Sequence, residues 1–259
     1  MTSVHLQRAG RLAVVTLDRT ARRNSFDLDM LGQFEQVLHD LGRDDTVEVV
    51  LLTGAGTAFC AGTDLAELAT LDAATTMSVQ RRTAELVERW YRLEQTTVTA
   101  FNGPAIGSGA ILGLASDLRL AADTCFFTFP EVGFGIPLTW GGMAILADLV
   151  GADRAKRWLL LGERIDAARL HQLELVTEVV PPDRVTDAGT ELAHRLLAVP
   201  ALGRSMTKRT ARLAGPRFDA VATDSYLGAL SVALRPAGPY RHPEADRHPE
   251  ADRHPEADR

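Results

Sequence analysis

Twice in this chain a run rich in β-branched and apolar residues ends in glycine and passes through small residues into what reads as a helix. The first is "VEVVLLTG" (47–54), continued by "AGTAFCAGTDLAEL"; the second is "TVTAFNG" (97–103), continued by "PAIGSGAILGLASD". A β-branched run without polar alternation, such as the first, is a strand buried on both faces. Strands of this kind alternating with helices predict an α/β fold, with helices packed on a largely parallel sheet.

The other segments fit that plan. "VHLQR" and "LAVVTLD" flank Ala9-Gly10 and read as a hairpin. In "SFDLDMLGQFEQVLHDLG", Phe26, Leu28, Leu31, Phe34, Val37, Leu38 and Leu41 recur at helical spacing, and Gly42 suits the helix end. Asp64 and Glu67 have the spacing of a capping box, a longer helix is predicted over 75–94, and "DLRLAAD" and "CFFTFPE" read as strands. From Gly141 onward the pattern is helical, with three helices expected before "VTEVVPP" and three after it. The chain therefore divides into residues 1–199, a C-terminal helical region over 200–240 suited to subunit packing, and a tail over 241–259. That tail repeats HPEADR three times and has no large apolar residue, so disorder is expected. Its histidines, His242, His248 and His254, do not share a helical face, and no metal site is expected.

A net charge of −6 argues against a nucleic-acid binder, although local arginines can still attract an anionic ligand. Two cysteines, Cys60 and Cys125, provide no disulfide framework and no CxxC. No signal region and no apolar run long enough to span a membrane are seen, so a cytoplasmic protein is expected.

Glycines running into a helix let a backbone come close to a ligand, and two ligands compete here. "GSGAILG" resembles a dinucleotide fingerprint with one extra residue, and Asp123 lies near where such a fold wants an acid. Alternatively, the two loops each offer one backbone N–H to a single oxygen that develops negative charge. A serine hydrolase is disfavoured, because Ser108 is not in G-x-S-x-G and no histidine lies in either loop. His39, His171 and His194 read as surface or structural residues.

"AFCAGTDL", then "FNGPAIGSGAILGLASDLRLAAD", then "FPEVGFGIP…GG", preceded by "VVTLDRTARRNSFDLDML", resembles the crotonase family of enoyl-CoA hydratases and isomerases over about residues 4–237. The resemblance implies a spiral of ββα units with a helical C-terminal region that assembles trimers or hexamers. It implies an acyl-CoA thioester as substrate and no separate cofactor. By position in the motifs, Ala61 and Ser108 would supply the two N–H donors, and Glu131 would be the catalytic carboxylate. Gly62, Thr63, Asp64, Leu65, Gly107, Ile111, Leu138 and Trp140 fall where the family borders its substrate. Arg22 and Arg23 fall where it borders the nucleotide, with Lys208 and Arg209 a second basic candidate.

Three departures bear on the chemistry. Ile111 stands where family hydratases carry a second glutamate, which favours moving a proton between carbons 2 and 4 over adding water. Ser108 replaces the usual glycine, and "GIPLTWGG" brings Leu138 and Trp140 to the expected acyl pocket. Three readings stay open from sequence: an enoyl-CoA isomerase or hydratase, a non-catalytic acyl-CoA-binding subunit, and a dinucleotide-dependent oxidoreductase.

Overall fold

The computed structural model describes residues 2–216. The sheet begins with β1 (Val4–Ala9) and β2 (Leu12–Leu17), an antiparallel hairpin whose register, Ala9 opposite Leu12, leaves Gly10-Arg11 as the turn. Gly10 adopts φ 63°, the left-handed conformation that a two-residue hairpin turn requires. Four further strands add in parallel: β3 (Val49–Gly54), β4 (Thr96–Phe101), β6 (Leu118–Ala122) and β9 (Val179–Val180). A second sheet holds β5 (Ala105–Ile106), β7 (Phe126–Thr128) and β8 (Ile165–Asp166).

The helices are α1 (Leu28–Leu41), α2 (Leu65–Leu68), α3 (Ala73–Tyr91), α4 (Ser108–Leu114), α5 (Gly142–Val150), α6 (Ala152–Leu161), α7 (Ala167–Gln172), α8 (Val185–Leu197) and α9 (Ala201–Arg212). β3 is buried on both faces, as its composition requires. Val50 and Leu52 belong to the main core shared with α1, α3 and α4, while Val49 and Leu51 meet Val185 and Ala188 of α8 on the opposite face. Among the described residues no helix is long and apolar enough to cross a membrane.

Several local expectations are adjusted. α3 starts at Ala73, because Asp72 caps it by accepting the Thr75 N–H at 2.7 Å, and it ends at Tyr91. The C-terminal half also contains β8 and β9, which are too short to leave a periodic signal in sequence. Two of the three helices expected after "VTEVVPP" are α8 and α9; the third, and the HPEADR tail, lie outside the described residues.

α9 is tied back to the sheet by charge. Arg204 pairs with Glu48 at 2.5 Å, and the Lys208 ammonium reaches Asp117 at 2.5 Å and the Gln95 carbonyl at 2.6 Å. Arg209 pairs with Glu94 at 2.7 Å. Lys208 is thus buried and engaged within the fold, which removes it as a candidate for CoA phosphates, while Arg209 stays exposed beside Glu94.

Candidate active site

The loop after β3 is held by one buried side chain. Asn24 is fully buried with φ 56°, a conformation asparagine tolerates better than most residues. Its Nδ2 donates to the carbonyls of Ala55 (2.9 Å), Ala58 (2.9 Å) and Phe59 (3.1 Å), and its Oδ1 accepts the Arg19 N–H at 2.8 Å. Arg19 then clamps both sides of the loop, reaching Asp27 at 2.9 Å and Asp64 at 2.8 Å. Asn24→Ala is expected to cost about 3 kcal/mol, because it leaves buried carbonyls without donors and places alanine at positive φ. Urea unfolding checks this; a loss under about 1 kcal/mol would mean that the loop is held by other contacts.

This anchoring decides which N–H groups on the loop are free. The Ala61 N–H donates to the Arg23 carbonyl at 2.9 Å, which corrects the expectation that Ala61 supplies a donor. Gly62 donates to the Cys60 sulfur at 3.4 Å, and Asp64 donates to the Phe26 carbonyl at 2.8 Å. Phe26 and Thr63 form a parallel bridge through the Gly62 carbonyl and the Asp64 N–H, so the Thr63 N–H is left without an acceptor among the described residues. Asp64 does not border the cavity: it caps α2 by accepting the Ala66 and Glu67 N–H groups. The capping box is only half formed, since the Glu67 carboxylate instead accepts the Leu28 N–H at 2.9 Å.

The second loop turns at Gly107, whose N–H donates to the Thr128 carbonyl at 2.8 Å. Gly107 caps α4 with φ 53° and ψ −126°, and Ser108 is the first helical residue. The Ser108 N–H is one of the donors that a helix start leaves without an intrahelical acceptor, and it faces the Glu131 carboxyl.

Glu131 closes the site. It begins a 3₁₀ turn (Glu131–Phe134), is only 9% exposed, and its Oε2 has no hydrogen-bond partner among the described residues. Burial pushes its carboxyl up to about 7, against weaker opposing help from its own N–H and that of Ser108. Its carboxylate lies so close to Gly107 that a Cβ on that glycine would stand 1.9 Å from Oε1. A negative group at the glycine turn is hostile to a phosphate, which removes the dinucleotide reading of "GSGAILG".

The cavity enclosed by these parts measures about 250 Å³. Ala61, Gly62, Thr63, Gly107, Ser108 and Glu131 all line it, and Leu65, Leu68, Ile106, Phe134 and Ile136 give it an apolar wall. Four expected residues are elsewhere. Ile111 is fully buried in the core beside Gly142, so an apolar residue there fills space away from the cavity. Leu138 and Trp140 also turn into the core; the Trp140 ring meets Phe26 edge-on at 5.3 Å, and neighbouring Ile136 and Thr139 face the cavity instead. Asp64 is the fourth, held by α2 and Arg19. Arg22 and Arg23 are exposed beside the loop but do not line the cavity. His39, His171 and His194 are exposed and away from it. The Cys60 thiol is buried, pushed up to about 12, and donates to the Asn24 carbonyl at 3.1 Å, so it is inert as a nucleophile.

Sequence reasoning missed Arg19 and Gln80. The clamp made by Arg19 joins residues distant in sequence, and Gln80 has no signal beyond a polar residue on the inner face of α3.

The chain is similar to known proteins of one family. The profile described as "Enoyl-CoA hydratase/isomerase" matches residues 7–220. A probable enoyl-CoA hydratase of Mycobacterium leprae is 34% identical over 230 residues, covering 86% of this chain and 77% of that protein. A 1,2-epoxyphenylacetyl-CoA isomerase of Escherichia coli is 34% identical over 199 residues, covering 75% of this chain and 76% of its own. The crystal structure of an enoyl-CoA hydratase/isomerase from Mycobacterium paratuberculosis superposes with a TM-score of 0.83 at 27% identity, covering 90% of this chain and 95% of that one. The mostly parallel sheet and its helices are therefore the crotonase fold, and this chain belongs to the enoyl-CoA hydratase/isomerase family of enzymes.

Proposed function

We propose that this enzyme moves the double bond of a 3-enoyl-CoA thioester to carbon 2. The thioester oxygen accepts the N–H groups of Thr63 and Ser108. Glu131 removes a proton from carbon 2, and the C–H electron pair passes into a dienolate whose charge rests on that oxygen. The same proton returns to carbon 4, leaving the double bond between carbons 2 and 3. A carboxyl held near 7 exchanges protons efficiently in both directions near neutral pH.

The observation that carries this reading is that Glu131 is the one ionisable side chain among the described residues lining the cavity. Water addition in the family's hydratases uses a second carboxylate, and the described residues lining this cavity include none besides Glu131. Arg22 and Arg23, exposed beside the Thr63 loop, are the candidates for meeting the CoA phosphates. A trimeric or hexameric assembly belongs to the same proposal, supported by exposed Leu202 and Met206 on α9 and by Leu213 just after it.

The test is turnover of matched 3-enoyl and 2-enoyl thioesters, with products separated by chromatography and identified by mass. Isomerisation of the first is expected to exceed hydration of the second by about tenfold or more. Fast hydration with the 3-enoyl thioester untouched would make the enzyme a hydratase. Tight binding without turnover would make it an acyl-CoA-binding subunit.

A further inference from the structure

One polar side chain in the cavity has no part in the chemistry above. Gln80 projects from α3, lines the cavity and is 4% exposed. Its Oε1 is buried without a hydrogen-bond partner among the described residues. Its neighbour shows how the helix treats a polar group it can satisfy: the Thr83 hydroxyl donates back to the carbonyls of Val79 (3.0 Å) and Gln80 (2.9 Å). A carboxamide on a longer stem does not fold back this way. The inner face of α3 otherwise carries Val79, Ala84, Leu86, Val87 and Trp90 with Thr76 and Thr83. The Thr76 hydroxyl is also buried without a partner among the described residues but does not line the cavity, so Gln80 is the unpaired polar group of this face that a ligand can reach.

A buried carboxamide oxygen left unpaired in a ligand cavity is matched by a donor on the ligand. The cavity holds no cation, and its single ionisable group is the acid Glu131, so a carboxylate on the acyl chain would be repelled. A neutral hydroxyl both donates and accepts, and can pair with either end of the carboxamide. Resting on the reading of this cavity as the acyl site, we infer that the enzyme selects thioesters whose acyl group carries a hydroxyl, and that Gln80 binds it.

The test measures binding rather than turnover. Titration calorimetry is run with hexanoyl-CoA and its 4-, 5- and 6-hydroxy derivatives, which are saturated and cannot isomerise. At least one hydroxy derivative is expected to bind the wild type about tenfold more tightly than hexanoyl-CoA. In Gln80→Met, close to glutamine in shape, that preference is expected to fall below about threefold while hexanoyl-CoA binds as well or better. The inference is overturned if hexanoyl-CoA binds the wild type as tightly as every hydroxy derivative, or if Gln80→Met weakens all of them equally. It also falls if none of these thioesters binds. Gln80→Leu, with its melting temperature recorded, serves if the methionine variant does not fold. Absence of isomerase turnover alongside a Gln80-dependent preference would remove the proposed reaction and leave this inference standing; turnover without the preference would do the reverse.

Discussion

Glu131→Gln is expected to lower turnover by about 10²-fold or more while leaving acyl-CoA affinity close to that of the wild type. The amide keeps the size of the carboxyl but cannot accept a proton. The donors assigned to the thioester oxygen are backbone groups of Thr63 and Ser108, which the substitution leaves in place. In the wild type, kcat/KM is expected to rise about tenfold per pH unit until the carboxyl ionises near 7, then level off. The same group makes an opposite prediction for stability. Its carboxyl titrates at about 7 in the folded protein, above the ordinary 4.5, so between those values the folded state holds a proton that the unfolded state has released. Stability is full below the lower value and is lost as pH rises to the upper one. The loss is about 3 kcal/mol, because holding that proton across one pH unit is worth about 1.4 kcal/mol. Glutamine has nothing to ionise. The variant should therefore gain stability relative to the wild type between pH 5 and pH 8 while losing activity. Chemical denaturation at the two pH values, alongside rate measurements, reads both effects. Normal turnover in Glu131→Gln would end the catalytic reading of this cavity.

Gly107→Ala is expected to be nearly as damaging, although it removes no functional group. The φ of 53° with ψ −126° is a conformation open to glycine and strained for every other residue. The new Cβ would stand 1.9 Å from Oε1 and 2.8 Å from Cδ of Glu131, so the carboxylate must leave its place. Rate is expected to fall about 10²-fold, because displacement by about an ångström costs that much where groups must be aligned. Gly135→Ala is the control: Gly135 also has positive φ, 72°, but an added Cβ there meets nothing within 4 Å. It should cost stability and spare the rate. Equal activity in the two variants would show that Glu131 does not depend on the Gly107 turn.

Much of this architecture was legible in order along the chain. β3 has a continuous apolar composition, α1 a helical period, and the β1–β2 hairpin a glycine at its turn; each is a local pattern that tertiary packing did not override. Glu131, Ser108 and the 61–65 loop were found from the ordered motifs around them. Boundaries moved where a cap was unrecognised, as with Asp72 at the start of α3.

The sequence by itself determined the α/β class, the two glycine loops and the carboxylate that joins them, because these depend on residue type and short-range spacing. Only the tertiary structure decided which backbone donors are free. Ala61 and Thr63 each carry one backbone N–H and flank the same glycine, Gly62. Pairing with Arg23 engages the first N–H, and the bridge to Phe26 leaves the second without an acceptor. The inward turn of Trp140 and the pairing of Lys208 with Asp117 were settled in the same way, each by a partner far along the chain, and the packing of α3 against the two loops placed Gln80 in the cavity. A hydrogen bond or a buried contact is a relation between two positions, and no residue carries it alone.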